Sequence, residues 1–289
     1  MGQDRAATDA RHHLSQACPE ESPTTAVIVL YGTERLDLTW IPEPVPVILV
    51  ANDTTFDWTT CTRPGLIRID SGANIGFGAA VNAALPHIRG ERVVLVNPDT
   101  DLGPQHWSAL VEASANEIVT VPLAELDGTP TTVVRRHYTP LTLTLTAWRI
   151  GRVVPRFLRR RPTNSATSLA VSVSAREAWA SGACVSLPLD RLRSLGGFDD
   201  GYFLYFEDAD LGRRMGRRFP DCVVRLADVA PGTHRVGGTA TTGDDRRMTR
   251  LAHARSAARY ASAERSLAWG CARFAAAMRV RLVNRTVGN

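Results

Sequence analysis

Two observations predict an α/β fold built on a mainly parallel sheet flanked by helices: short, β-branched apolar runs without polar alternation, and an alanine-rich helical pattern set between two of them. Strands covered on both faces read as continuous apolar runs, whereas a strand with one wet face alternates. The first such run is Ala26-Val-Ile-Val-Leu-Tyr31, the second extends from Val45 to Val50, and the third from Val93 to Val96. Between the last two, Asn74 to Leu85 places Phe77, Val81 and Leu85 at helical spacing among alanines, so a buried helix is expected there. Strands alternating with helices pair in parallel through crossovers.

The remaining elements follow from changes in pattern. Residues 1–23 carry no sustained apolar period and end in Cys18-Pro-Glu-Glu-Ser-Pro23, which reads as a mobile arm. A core domain is then expected over 24–242. Within it, the stretch from about 123 to 165 is broken by threonines, prolines and Arg135, Arg136, Arg156, Arg159, Arg160 and Arg161, and is expected to be a partly helical, mobile excursion. Ordered signals return at Ser181-Gly-Ala-Cys-Val-Ser-Leu187, Leu195-Gly-Gly-Phe-Asp199 and the aromatic run Tyr202-Phe-Leu-Tyr-Phe206. Residues 243–289 form a basic helical extension carrying Leu251, Ala258, Leu267, Trp269 and Phe274.

The 289 residues, 44% hydrophobic and 22% charged, are enough for a substantial core and argue against disorder. No stretch approaches the ~20 apolar residues that span a bilayer, and the charged start lacks a signal-peptide core, so a cytoplasmic location is expected. Five scattered cysteines show neither zinc spacing nor a disulfide framework. A net charge of +5 suits an anionic partner: nucleotide, lipid phosphate, membrane surface or nucleic acid.

Three motifs could carry chemistry. Asn97-Pro-Asp99-Thr-Asp101 sets two carboxylates past a strand end, where parallel sheets bind ligands. In an extended backbone both would point the same way and could hold Mg²⁺ or Mn²⁺ against a diphosphate; alternatively, they form an Asp-rich turn. Glu207-Asp208-Ala-Asp210 follows the aromatic run and opens a helix. Acids there meet the positive end of the dipole in any case, but aromatic walls exclude water and let a carboxylate act as general base. His234, in a glycine-rich loop, is either a ligand or a solvated histidine. Phosphate-loop, dinucleotide-binding and Gly-x-Ser-x-Gly signatures are absent.

In this order, over roughly residues 25 to 240, these segments resemble glycosyltransferase family 2, specifically its bacterial rhamnosyltransferase-like branch. The carriers are Ala26–Tyr31, Asn74-Ile-Gly-Phe-Gly with Asn82, Asn97-Pro-Asp-Thr, Ser181-Gly-Ala-Cys184, Gly196-Gly-Phe-Asp-Asp200, Phe203-Leu-Tyr-Phe-Glu-Asp-Ala-Asp210 and His234. The resemblance implies the GT-A fold, a Rossmann-like nucleotide-sugar-binding architecture, and inverting transfer of a sugar to a hydroxyl. It implies Asp208 as catalytic base and a divalent metal, Mg²⁺ or Mn²⁺, at Asp99, Asp101 and His234. The donor, a dTDP- or UDP-linked sugar such as rhamnose, falls to Tyr31, Asn52, Asp53, Asn74, Gly76, Phe77, Asn82, Asn97 and Asp99. A lipid-linked or glycan acceptor falls to Gly182, Ala183, Cys184 and Glu207. One departure stands out: where the family carries an Asp-Asn pair after the second strand, this chain reads Ala51-Asn52-Asp53, which puts the donor's base in doubt.

Ala51 is also the best support for the competing reading, a non-catalytic sugar-nucleotide or glycan-binding module of the same fold. Nucleic acid is disfavoured because the basic tail lacks interleaved aromatics. Arg250, Arg255, Arg259, Arg265, Arg273, Arg279 and Arg281 either meet anionic lipid headgroups at the inner face of the cell membrane or mark a solvated helix face. A homo-oligomer is left open.

Overall fold

β1 (Thr24–Leu30), β2 (Val47–Ala51), β3 (Leu66–Asp70) and β4 (Arg92–Val96) lie side by side in parallel, in the order β3-β2-β1-β4. Every residue of β1, β2 and β4 is buried, as their unbroken apolar runs require, while β3 forms the edge and mixes half-buried with exposed positions. The computed structural model describes residues 23–33, 36–53, 56–148, 172–235 and 243–285. Nearly all of the arm expected over 1–23, and Arg156, Arg159, Arg160 and Arg161, lie outside these residues.

After β3 the chain crosses back through α1 (Phe77–Ala84) to β4 on the far side of β1, so the connections from β1 and β4 diverge at the carboxyl ends of these two strands. It continues through β5 (Thr100–Asp101), α2 (Pro104–Val111), β6 (Glu117–Thr120), β7 (Leu123–Ala124), β8 (Pro130–Thr131), β9 (Val134–Arg136) and α3 (Pro140–Ala147). Then come β10 (Ser172–Ser174), β11 (Ala178–Ala180), β12 (Cys184–Pro188) and α4 (Leu189–Ser194), followed by α5 (Glu207–Arg218), β13 (Val223–Leu226) and β14 (Gly232–His234). α6 (Gly243–Ser262) and α7 (Leu267–Arg285) complete the described chain.

The main sheet runs β10-β13-β6-β12-β4-β1-β2-β3. β12 is antiparallel to β4, with Cys184 opposite Val96, so the start of β12 lies beside the end of β4. Two small sheets flank this edge: β11 with β9, and the ribbon β5-β14-β7-β8. The described part of the stretch read as a mobile excursion is therefore largely ordered, its strands stabilised by partners about forty to a hundred residues away in sequence.

A second hydrophobic cluster joins α3, α5, α6 and α7 through Leu143, Trp179, Tyr202, Phe206, Tyr260 and Ala276. Packing thus crosses the boundary drawn at residue 242. Two arginines expected to be available on the tail are engaged there: Arg259 pairs with Asp199 at 2.6 Å and lies over the Tyr202 ring, and Arg279 lies over Trp148. No helix among the described residues is long and apolar enough to cross a membrane.

Candidate active site

The carboxyl end of the sheet carries two acidic positions that strand pairing brings together. At the end of β4, Asn97 N–H donates to the Ala183 carbonyl at 2.8 Å, extending the β4–β12 ladder by one step. The next residue, Gly182, donates its N–H to Asp208 Oδ2 at 3.3 Å. Asp99 and Asp208, more than a hundred residues apart in sequence, therefore sit either side of a single strand junction.

Asp208 occupies the first turn of α5, which begins unusually. Tyr205 and Phe206 both adopt left-handed backbone, with φ of 67° and 69°, where a non-glycine residue stores about 1–3 kcal/mol each. Surrounding side chains hold them there. Phe206 packs against Tyr138 at 5.0 Å and His253 at 5.3 Å, Tyr205 packs against His253, and Ser256 of α6 donates to the Leu204 carbonyl at 2.9 Å. Gly76 backs the same loop: a Cβ there would lie 2.3 Å from the Phe203 carbonyl oxygen, and its φ of +90° also demands glycine.

The sharp entry delivers three carboxyls with different fates. Asp210 is neutralised, receiving Arg213 at 2.8 Å and Arg214 at 2.7 Å, so it stabilises the helix rather than facing a ligand. Asp208 accepts from the N–H groups of Gly182 and Ala209. Burial beside an apolar pocket lined by Ala180, Phe198, Leu211 and Met215 pushes its pKa up, while those N–H groups and the nearby Arg135 charge oppose the rise. Glu207 is buried and its Oε2 has no hydrogen-bond partner; burial first, and the Asp208 charge second, push it up to about 8. Adjacent carboxyls do not ionise together without cost, so the one with N–H partners carries the charge and Glu207 keeps the proton.

On the other side of the junction, antiparallel pairing of β14 with β5 places His234 against the Asp99 turn. His234 Nε2 lies 3.3 Å from Asp99 Oδ1, and Arg235 N–H donates to the Asp99 carbonyl. Asp99 Oδ1 and His234 Nδ1 are buried and make no hydrogen bond. An anionic oxygen and an imidazole nitrogen side by side suit a divalent cation that takes its other ligands from phosphate and water. Among the described residues no group of three acidic, histidine or cysteine side chains converges, so Asp101 does not join the pair. The expectation that Asp99 and Asp101 point alike assumed an extended backbone. Instead residues 97–100 turn, with Thr100 N–H and Oγ1 both bonded to the Asn97 carbonyl, and Asp101 is exposed on β5.

No family model matches the chain. It is 31% identical over 191 residues to an N-acetylglucosaminyl-diphospho-decaprenol L-rhamnosyltransferase of Mycobacterium tuberculosis, found in two strains, an alignment covering 60% of this chain and 62% of that protein. The chain thus spans less than two thirds of the curated relatives it matches. Among solved structures, glucosyl-3-phosphoglycerate synthase from Mycobacterium tuberculosis, with Mn²⁺, UDP-glucose and phosphoglyceric acid, superposes with a TM-score of 0.51 at 16% identity, over 80% of this chain and 77% of that one. GalNAc-T7 with UDP, GalNAc and Mn²⁺ gives 0.50 at 10% identity, over 85% and 52%. The fold is that of the GT-A glycosyltransferases.

Within this GT-A fold the residues expected to bind ligands divide into two groups. Tyr31 is exposed at the end of β1, and Asn74 Oδ1 accepts from Gly76 N–H at the mouth of α1. Asp53 accepts from Gly32 N–H at 2.6 Å, closing the β1 loop onto the β2 loop. Asn52 faces inward instead. It is buried, donates to Asn74 and accepts from Ile75 N–H and Ser71 Oγ, so its amide is consumed in shaping the loops. Asn82 likewise clamps α1 to the later glycine loop, bonding both the N–H and the carbonyl of Phe198. Phe77 stacks edge-on against Phe198 and lines Gly182, where a Cβ would meet its ring at 3.1 Å. Ala183 contributes its carbonyl to the junction.

Cys184, expected at the acceptor, turns its side chain into the core. It is fully buried within β12, and its thiol is pushed up to about 12 by burial. Sequence reasoning passed over Trp179, on β11, whose ring carries the Arg135 guanidinium at 5.8 Å. Strands of three residues leave too short a pattern to find it.

Proposed function

We propose that this chain is an inverting glycosyltransferase that moves a sugar, a rhamnose-like deoxyhexose, from a dTDP- or UDP-linked donor to a hydroxyl of a lipid-linked or glycan acceptor in cell-surface polymer assembly. The observation that supports it is the junction of Asn97 and Ala183 at the carboxyl end of a parallel sheet: on one side Gly182 N–H holds the half-buried Asp208 carboxylate, and on the other Asp99 lies 3.3 Å from His234. Similarity to the mycobacterial rhamnosyltransferase supports the choice of sugar and of acceptor class.

In this reading Asp208 takes the proton from the attacking hydroxyl. Its two N–H partners fix the carboxylate, and the apolar wall keeps it basic. One displacement then inverts the anomeric carbon. Asp99 and His234 would hold a divalent cation, which when bound neutralises charge growing on the leaving diphosphate. Neutral Glu207 avoids a second negative charge beside the base. Arg135 lies on the same side, where an acceptor phosphate would meet it.

Thermal shift against a panel of nucleotide sugars, with and without Mn²⁺, tests the donor, since a ligand at a hundred times its Kd stabilises by about 2.7 kcal/mol. Product analysis by NMR tests inversion. Failure of every nucleotide diphosphate to shift the melt would refute the reading.

A further inference from the structure

α7 has two apolar faces, and among the described residues the fold packs against only one. Ala272, Ala276 and Val283 are buried, and on that side Trp148 Nε1 donates to the Ala275 carbonyl. Half a turn away, Leu267, Cys271, Phe274, Met278 and Leu282 recur at steps of three and four residues and form one stripe. Leu267 is 87% exposed and Phe274 67%. Isolated surface hydrophobics are ordinary, but a helical stripe of them facing out needs a partner.

The charges beside the stripe indicate which partner. Residues 267–285 contain no Asp or Glu, and Arg265, Arg273 and Arg281 are exposed next to it. Glu264, just before the helix, is occupied by Arg213 and Arg217 of α5. A second copy meeting this face about a two-fold axis would set arginine against arginine. A surface with an apolar interior and anionic headgroups satisfies both features. The helix cannot cross a bilayer, so it would lie along one.

We propose that the outer face of α7 seats the protein on an anionic lipid surface, with Leu267 and Phe274 entering the headgroup region and Arg265, Arg273 and Arg281 against lipid phosphates. This deepens the transferase reading by placing the site where a lipid-linked acceptor resides, but vesicle binding needs neither donor nor turnover, so the two can fail separately.

The test is co-flotation of the full chain with vesicles of phosphatidylcholine alone or with phosphatidylglycerol. Binding is expected to anionic vesicles and to fall with salt. Arg273→Glu with Arg281→Glu should lower partitioning by at least about 25-fold, taking roughly fivefold for each basic residue removed. Phe274→Ser should lower it on the order of tenfold, with an unchanged thermal melt because the ring is exposed. No binding to anionic vesicles overturns the proposal, as does undiminished binding of both folded variants. A wild-type dimer that Phe274→Ser converts to monomer, without vesicle binding, would assign the face to a second copy and also overturn it.

Discussion

Glu207 offers the sharpest test of the site's electrostatics. Its carboxyl is buried with Oε2 unpartnered and titrates near 8 instead of the ordinary 4.5. Because the folded-state value lies above the unfolded one, the group costs nothing where it is neutral in both states, below about pH 4.5. As pH rises towards 8 the unfolded chain releases this proton and the folded chain keeps it, so stability is lost throughout that window and levels off above it. The difference of 3.5 pH units, at about 1.36 kcal/mol each, sets a ceiling of about 5 kcal/mol. Water entry and local relaxation reduce this, and about 2–3 kcal/mol is expected. Glu207→Gln keeps the shape and removes the titration. Urea unfolding followed by tryptophan fluorescence at pH 5, 7 and 9 should show nearly equal stabilities at pH 5 and a variant gaining about 2–3 kcal/mol by pH 9. Asp208 is present in both chains, so the difference curve reports chiefly on Glu207. Parallel pH profiles for the two proteins would show that Glu207 is not held neutral, and the account of which carboxyl carries the charge would fall.

Other outcomes follow from the same geometry. Asp208→Asn should leave donor affinity intact and lower transfer by ~10²–10⁴, measured by product formation. Asp99→Asn and His234→Ala should each abolish the Mn²⁺-dependent part of a nucleotide-diphosphate thermal shift, whereas Asp101→Asn should retain it, since Asp101 lies outside the pair. Asn82→Ala should cost about 1–3 kcal/mol by stripping the Phe198 N–H and carbonyl of their partner, seen as a lower urea midpoint.

What could be read in advance tracked local physics. β1, β2, β4 and α1 were legible because burial on both faces, or on a small-residue face, writes an unbroken pattern. β3 was not, because Arg68 and Asp70 break its run at the sheet edge. The strand-end acid and the helix-opening acids were visible as motifs. Their proximity was not, since it depends on β12 pairing with β4 across about ninety residues. Asn52, Asn82 and Cys184 show the limit of reading a motif as a list of contacts. An amide beside a ligand crevice can as readily close the loop that forms it, and a thiol one residue inside a strand faces the core.

The left-handed pair Tyr205–Phe206 ties Asp208, the proposed base, to residues half a hundred positions downstream. His253 and Ser256 touch no expected ligand, yet they brace the bend from which α5 departs. A chimera that joined residues 24–242 of this chain to the tail of a relative would carry every acidic motif intact. Unless the borrowed helix supplied an aromatic-sized partner and a hydroxyl at those two positions, the bend would relax and Asp208 would swing away from Gly182. Exchange of parts in this architecture is thus governed by the brace, and sequence motifs alone would overstate how modular it is.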